Sequence, residues 1–164
     1  MNSAIRPPSA VIDYRFRQRF RMPARAAFAW ATDFTGSDWA IAGISGERGV
    51  ERVSPTMVRL TDRIEDPAVS SVTKVRIVQL YPETLSWVST HVGGPCLHSQ
   101  FRYSIAPVGR RTSVLTFQGR EIRWETRPSG PGELRTLRSQ LRAGDVTLWK
   151  CFAREMERQR ASEK

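Results

Sequence analysis

The sequence predicts an α+β domain in which one antiparallel sheet of about seven strands packs against a long C-terminal helix. Two short helices are expected between the first and second strands. Short apolar segments recur roughly every ten residues between turn residues, a spacing typical of an antiparallel meander. Residues 133–160 instead carry apolar side chains at steps of three and four, as on a helix with one apolar face.

The first predicted strand, residues 11–22, alternates between apolar and basic side chains. This period of two indicates a strand with one buried face. Its outward row consists of Arg15, Arg17, Arg19 and Arg21. Pro23 suits the start of a helix over residues 24–34, because proline is tolerated in a first helical turn. A second short helix or turn is predicted near residues 33–39.

Glycines follow this helical region, and we interpret them as a rim loop. Their spacing matches neither the dinucleotide fingerprint nor a phosphate-binding loop. The glycines are Gly36, Gly43, Gly46 and Gly49.

Six further strands are then predicted, with turns at Asp66-Pro67 and at Gly93-Gly94-Pro95 among those that separate them. The predicted strands are residues 50–53, 57–64, 72–80, 85–92, 97–105 and 112–124.

The chain of 164 residues is long enough for one hydrophobic core. We expect a single domain over residues 11–160, with flexible ends at 1–10 and 161–164.

No apolar stretch reaches the roughly 20 residues of a membrane span. Residues 1–8 lack the apolar core of a secretory signal, so cytoplasmic residence is expected. Cys96 and Cys151 are expected to be free thiols, because two cysteines do not make a disulfide framework in a chain of this size.

The formal net charge is +10, which raises the question of a nucleic-acid partner. However, 23 of the 26 basic residues are arginine, and they are spread through the whole chain. This uniform bias does not favour a designed nucleic-acid surface.

Several segments resemble the START-like superfamily, also called SRPBCC or Bet v 1-like. They are the helix start at residues 23–30 after an alternating strand, Asp33-Phe34 followed by Trp39, residues 101–107, and the turn at 108–112. The similarity covers residues 11–160 and is greatest to bacterial polyketide cyclase/dehydrase-like members. It implies a helix-grip fold, in which the sheet wraps around the last helix.

The resemblance further implies a cavity between the sheet and the C-terminal helix that holds a hydrophobic or amphipathic small molecule. The alternating strands and amphipathic helix agree in kind, although the same pattern also fits a solid core. The side chains expected to line the cavity are Tyr14, Phe16, Trp87, Phe101, Tyr103, Phe117, Leu141, Asp145, Trp149 and Phe152.

A hairpin turn centred on Gly94 and Pro95 would place His91 opposite His98, with Cys96 nearby. Two imidazoles and a thiol are metal ligands, but no further ligand stands at a recognisable spacing. We therefore favour unligated histidines and expect neither a metal nor a cofactor.

Asp145 lies within the apolar stripe of the last helix, where it has two interpretations. Burial would raise the pKa of a cavity-facing carboxyl group and make it a general acid or base. Alternatively, Asp145 forms a structural ion pair with Arg138, Arg102 or Arg76, which the abundance of arginine favours.

Three functions remain open. The first is binding of a lipid, polyketide or related metabolite. The second is a cofactor-independent cyclase, aromatase or dehydratase that uses Asp145, Tyr103 or His98 for proton transfer. The third is a ribosome- or RNA-associated module that uses the arginine row of the first strand. Whether two copies form a homodimer is also left open.

Overall fold

The computed structural model describes residues 8–65, 71–125 and 127–162. Its strands are β1 (Ala10–Phe20), β2 (Gly46–Ser54), β3 (Met57–Ile64), β4 (Val72–Tyr81), β5 (Ser86–Gly93), β6 (Gln100–Gly109) and β7 (Thr112–Arg123). Its α-helices are α1 (Ala24–Ala31), α2 (Asp38–Ile41) and α3 (Pro131–Ser162).

The seven strands form one antiparallel sheet in the order β1-β7-β6-β5-β4-β3-β2. The long helix α3 packs against this sheet, and α1 and α2 lie between β1 and β2 in the sequence. The predicted α+β fold, with a sheet of seven strands and a long C-terminal helix, is therefore confirmed.

The core lies between the sheet and the second half of α3. Phe20, Leu115 and Met156 are fully buried there, contributed by β1, β7 and α3. Burial of apolar side chains on one face of each element is the main favourable contribution to this arrangement. The start of α3 is fixed by Glu133, whose carboxylate accepts hydrogen bonds from the backbone N–H and the hydroxyl of Ser129.

Several details differ from the sequence prediction. The interpretation of Gly46 and Gly49 as loop residues is wrong, because β2 begins at Gly46 and pairs with β3. The strand predicted from residue 97 begins at Gln100 instead. Ala10 already belongs to β1, and α3 continues to Ser162. The predicted Asp66-Pro67 turn and most of the predicted flexible ends lie outside the described residues.

Candidate functional site

Two neighbouring spaces lie on the concave side of the sheet. The outer cavity, of about 550 Å³, opens between β3, β4, β5 and the middle of α3. Gly144, Asp145 and Leu148 form its helix wall. The inner chamber, of about 80 Å³, lies deeper, between the sheet, α1 and the Trp149 turn of α3.

The residues that the sequence analysis placed at a cavity are distributed over three environments. At the outer cavity lie Tyr14, Phe101, Tyr103, Leu141 and Asp145. At the inner chamber lie Trp87, Trp149 and Phe152, together with Tyr103. Phe16 and Phe117 stack on each other in the core, with ring centroids 4.6 Å apart. The two phenylalanines are thus packing residues beneath the cavity.

Asp145 contacts β1 through a hydrogen bond, and this contact replaces the ion pair that the sequence favoured. The Tyr14 hydroxyl donates to Asp145 Oδ2 at 2.6 Å. Within the described residues, no arginine lies within ion-pair distance of Asp145, and Arg76 instead pairs with Asp62. The preference for Arg138, Arg102 or Arg76 as its partner was therefore wrong. Abundance of arginine did not decide the contact, because Arg102 and Arg138 are exposed on β6 and α3, and the guanidinium group of Arg76 is paired with Asp62.

Gly119 makes the position of Tyr14 possible. It lies opposite Tyr14 in the register of β1 and β7. A Cβ atom at this position would stand 2.8 Å from the Phe117 ring and 3.0 Å from the Tyr14 ring. The missing side chain therefore gives Tyr14 the space to lie over the sheet and reach α3.

Burial raises the pKa of the Asp145 carboxyl group, while the Tyr14 hydrogen bond acts in the opposite direction. Burial, followed by the neighbouring Asp145 charge, also raises the pKa of Tyr14 and that of Tyr103. The three groups therefore favour their protonated forms more than they would in water. Together these shifts show that this part of the cavity wall disfavours negative charge.

A buried charge network closes the cavity at the β2–β4 side. Asp62, only 1% exposed, accepts hydrogen bonds from the guanidinium groups of Arg48 and Arg76 and from the Trp39 indole N–H. Arg48 also pairs with Asp38 and lies over the Trp39 ring, 4.9 Å from its centroid. Two arginines and two aspartates thus balance in formal charge, and Trp39 is held at the boundary of both spaces.

The pKa values of the two carboxyl groups of the network are shifted in opposite directions. Burial acts to raise the pKa of Asp62, but Arg76 and Arg48 outweigh it, and the net pKa is lowered. Burial raises the pKa of Asp38 despite the charge of Arg48. Asp62 is therefore the stable anion that holds both arginines in place.

Three buried polar atoms on β4 and β5 have no hydrogen-bond partner among the described residues. They are Arg76 Nε, Ser89 Oγ and His91 Nδ1. Arg76 stands opposite His91 in the β4–β5 register, and Ser89 lies two residues before His91, so all three face the concave side. Arg76 and His91 line the outer cavity, and Arg76 and Ser89 line the inner chamber.

Burial, with the charges of Arg76 and Lys74, lowers the pKa of His91 to about 3. The imidazole is therefore neutral at physiological pH and can donate or accept one hydrogen bond through Nδ1. Buried polar atoms without partners are uncommon in folded proteins and call for an explanation such as a bound ligand.

The predicted pairing of His91 with His98 is wrong by one residue. The β5–β6 register joins Thr90 to Gln100, and the His91 backbone N–H donates to the Ser99 carbonyl. His98 adopts a positive φ of 69°, which adds a residue to the turn and leaves its exposed ring against Trp124. A shift of one residue places a side chain on the opposite face of a sheet. Consequently, His98 lies outside the cavity wall, whereas His91 lies in it.

Cys96 is buried near the outer cavity, with its Sγ atom 3.8 Å from the Glu121 carboxylate. Both cysteines are free thiols in the structure. In residues 8–65, 71–125 and 127–162, no three histidine, cysteine or acidic side chains are arranged to hold a metal ion.

The arginine row of β1 is exposed on the convex side, away from both spaces. A partner for it stays a prediction. Among the helices of the described segments, none has the length and hydropathy required to cross a membrane.

Sequence reasoning missed the polar side of the cavity. Asp62 and Arg76 stand in strands that were recognised, but Asp62 was not identified as an inward charge and Arg76 was considered only as a partner of Asp145. Arg48 lies between Gly46 and Gly49, in the segment that was interpreted as a loop. A signal was present, because Asp62 alternates with the buried residues Val58 and Leu60 along β3. A carboxylate at an inward position of a strand requires a buried cation or hydrogen-bond donor.

No protein-family model matches the sequence, and no curated protein matches it significantly. Solved structures are nevertheless similar in fold. The Zhui aromatase/cyclase from Streptomyces sp. R1128 superposes with a TM-score of 0.73 at 13% identity, over 92% of this chain and 96% of that chain. A START superfamily protein from Mycobacterium smegmatis gives a TM-score of 0.67 at 16% identity, over 90% and 98% of the two chains.

The di-domain ARO/CYC protein StfQ from the steffimycin biosynthetic pathway gives a TM-score of 0.69 at 15% identity. This match covers 94% of the present chain and 53% of StfQ, so it involves about half of the di-domain protein. Identities this low bear on the fold alone. The seven-stranded sheet, the long C-terminal helix and these superpositions together show that the chain has the START-like helix-grip fold.

Proposed function

We propose that the chain binds a neutral amphipathic small molecule in the outer cavity, with an oxygen atom of that molecule at Arg76 and His91. The observation that carries this proposal is the pair of unpartnered polar atoms, Arg76 Nε and His91 Nδ1, in a cavity of about 550 Å³. A pocket of this size with a few convergent polar groups suits a small organic ligand.

The charge at the proposed oxygen site favours a neutral ligand oxygen over an anionic one. Arg76 is already paired with the buried carboxylate of Asp62. A ligand carbonyl or hydroxyl oxygen can accept from Arg76 Nε without disturbing that ion pair. Aromatic side chains such as Phe101 and Tyr103 offer apolar contact to the rest of the molecule.

Isothermal titration calorimetry with 2-naphthol, an aromatic probe with one hydroxyl group, tests this proposal. We expect saturable one-to-one binding. Arg76→Gln and His91→Leu should each weaken it about 2- to 12-fold, the loss that corresponds to one hydrogen bond. Arg102→Gln is the matched control, because Arg102 is an exposed arginine on β6. Absence of saturable binding, or equal effects of Arg76→Gln and Arg102→Gln, would contradict the proposal.

A second candidate function is proton transfer to a bound carbonyl or enol, as in a cyclase, aromatase or dehydratase. The observation that favours it is the Tyr14–Asp145 hydrogen bond at the cavity wall, together with the raised pKa of Asp145. Tyr103 lies on the same wall, whereas His98 does not. The fold is shared with the Zhui aromatase/cyclase, which makes this class of activity worth testing here.

Asp145→Asn separates the two functions, because asparagine keeps the side-chain shape but cannot exchange the proton. The assay follows cyclisation or dehydration of a synthetic poly-β-carbonyl thioester by liquid chromatography. An enzyme should lose turnover in Asp145→Asn while 2-naphthol still binds. A pure binding protein should show no turnover in either form.

A further inference from the structure

Trp39, Arg76, Tyr103 and Leu148 line both the outer cavity and the inner chamber. They form a partition between the two spaces. Beyond this partition, the inner chamber is walled by aromatic rings, including Trp87 and Trp149, and has the unpartnered Ser89 hydroxyl on its sheet side. Ser89 is only 2% exposed, so no bulk water reaches it freely.

Three members of the partition are fixed by specific contacts. The Trp39 indole donates to Asp62 at 3.0 Å, and Arg76 pairs with the same carboxylate. The Tyr103 ring stacks on Trp87 with centroids 4.7 Å apart and an interplanar angle of 6°. Leu148 has only dispersion contacts within the described part of the chain, and its side chain is half-buried. Leu148 is therefore the member that can change rotamer and open the partition.

The inner chamber is small. Its volume of about 80 Å³ is roughly half of the 150 Å³ cavity that accepts a benzene molecule in an engineered protein. It has room for one end of a molecule, such as a hydroxyl group and the carbon atoms behind it, and not for a whole ring.

We infer that the inner chamber is a second binding subsite, which accepts a terminal hydroxyl or carbonyl group of the ligand past Leu148 and hydrogen-bonds it to Ser89. The inference rests on the proposed function and specifies the ligand class further. Ser89 and His91 are two residues apart on one strand, which separates them by about 7 Å. The ligand is accordingly an aromatic or chain molecule with oxygen functions about 7 Å apart, one for Arg76 and His91 and one for Ser89.

The test compares two probes by isothermal titration calorimetry. One is 2-naphthol, and the other is 2,6-dihydroxynaphthalene, which carries a second hydroxyl at the opposite end of the same ring system. We expect the unmodified protein to bind the diol about 2- to 12-fold more tightly, the gain expected from one additional hydrogen bond.

Two variants locate that gain. Ser89→Ala should abolish the preference for the diol and leave the Kd of 2-naphthol unchanged. Leu148→Phe should also abolish the preference for the diol, by filling the passage; because Leu148 lines the outer cavity as well, this variant is judged by the ratio of the two Kd values and not by the Kd of 2-naphthol. Thr90→Ala is the control, since Thr90 lies between Ser89 and His91 on β5 and faces the other side of the sheet. It should keep the preference.

The outcomes are distinguishable from those of the first proposal. Two results would overturn the second subsite and leave the proposed function standing. One is binding of 2-naphthol with no preference for the diol. The other is a preference for the diol that persists in both Ser89→Ala and Leu148→Phe. Failure of both probes to bind overturns both.

Discussion

The two ends of the concave side of the sheet are built on different principles. At the closed end, under the C-terminal turns of α3, Phe20, Leu115 and Met156 are buried, and none of the three lines the outer cavity or the inner chamber. At the open end, β3, β4 and β5 carry buried charges, unpartnered polar atoms and two spaces.

This difference separates stability from binding. Apolar burial at the closed end stabilises the fold with little chemical specificity. Buried ions and unsatisfied polar atoms at the open end reduce the net stability, and a protein tolerates such groups where they serve a ligand. Substitutions at the closed end should therefore affect stability alone, and those at the open end should also change binding.

The largest effect is expected for Asp62→Ala. Removing this carboxylate leaves Arg48 and Arg76 buried together with a smaller counter-charge, which should lower the free energy of unfolding by about 3–5 kcal/mol. Urea denaturation measures it. Asp13→Ala is the control, because the Asp13–Arg120 pair is exposed on the convex side and should contribute about 0–1 kcal/mol. Equal losses in the two variants would show that the buried network contributes no more to the free energy of unfolding than an exposed ion pair does.

Met156→Ala at the closed end should lower the free energy of unfolding by about 2–5 kcal/mol, because it leaves a void in a tightly packed region. The measurement is again urea denaturation. At temperatures where the variant remains folded, its Kd for 2-naphthol should equal that of the unmodified protein. A changed Kd would show that packing at the closed end is coupled to binding at the open end, and it would contradict the expectation that closed-end substitutions affect stability alone.

His91 gives the open end a characteristic pH dependence. Its pKa is about 3 in the folded protein and about 6.5 when unfolded, so the unfolded chain binds the extra proton between these values. The stabilising contribution is present above pH 6.5 and is lost as the pH falls, by up to about 1.4 kcal/mol per pH unit.

His91→Gln should remove this slope between pH 4.5 and 6.5, as measured by urea denaturation at several pH values. The raised pKa of Asp145 acts with the opposite sign, since stability from a raised pKa is lost as the pH rises. Asp145 is present in both His91→Gln and the unmodified protein, so its contribution cancels when their free energies of unfolding are subtracted. Parallel pH profiles would show that His91 can be protonated within the fold.

Two buried serines, one at each end, differ in whether their hydroxyl groups are hydrogen-bonded. Ser113, at the closed end, donates to the Met22 carbonyl at 2.8 Å, whereas Ser89 has no partner among the described residues. Ser113→Ala should cost about 1–3 kcal/mol, because it leaves a buried carbonyl unsatisfied. Ser89→Ala should leave stability unchanged or raise it slightly. Thermal unfolding of both variants checks this, and a substantial loss in Ser89→Ala would indicate an internal partner for its hydroxyl.

The sequence was sufficient for the apolar faces of the strands and of α3. The alternation of Ile12, Tyr14 and Phe16 in β1 and the spacing of Trp149, Phe152 and Met156 in α3 depend only on which side chains avoid water. These patterns predicted the elements, their order and the fold class. The superpositions on START-like structures agree with that prediction.

The open end could be predicted only in part, because its contacts join residues distant in the sequence. Asp145 was identified as unusual, but its bond to Tyr14 depends on the space left by Gly119, which no local pattern reveals. The orientation of His98 depended on one residue in a turn. Ser89 and Arg76 resemble ordinary strand residues in sequence. That Ser89 Oγ and Arg76 Nε have no hydrogen-bond partner among the described residues is a property of the assembled sheet.

The smallest effect is expected for Gly144→Ala, at the point where α3 passes over the outer cavity. Gly144 lies inside a long helix, and a Cβ atom there would meet nothing within 4 Å. Alanine is favoured over glycine in a helix interior, so the free energy of unfolding should rise by about 0.5–1 kcal/mol. Gly132→Ala also has open space but lies in the first turn of α3, away from the cavity, and it should change stability less.

Because Gly144 lines the outer cavity, its new methyl group should also change the Kd of 2-naphthol, whereas the Gly132 variant should not. If both variants gain stability equally and neither changes the Kd, the middle of α3 is not a wall of the binding site, and the division between a packed end and a binding end must be redrawn.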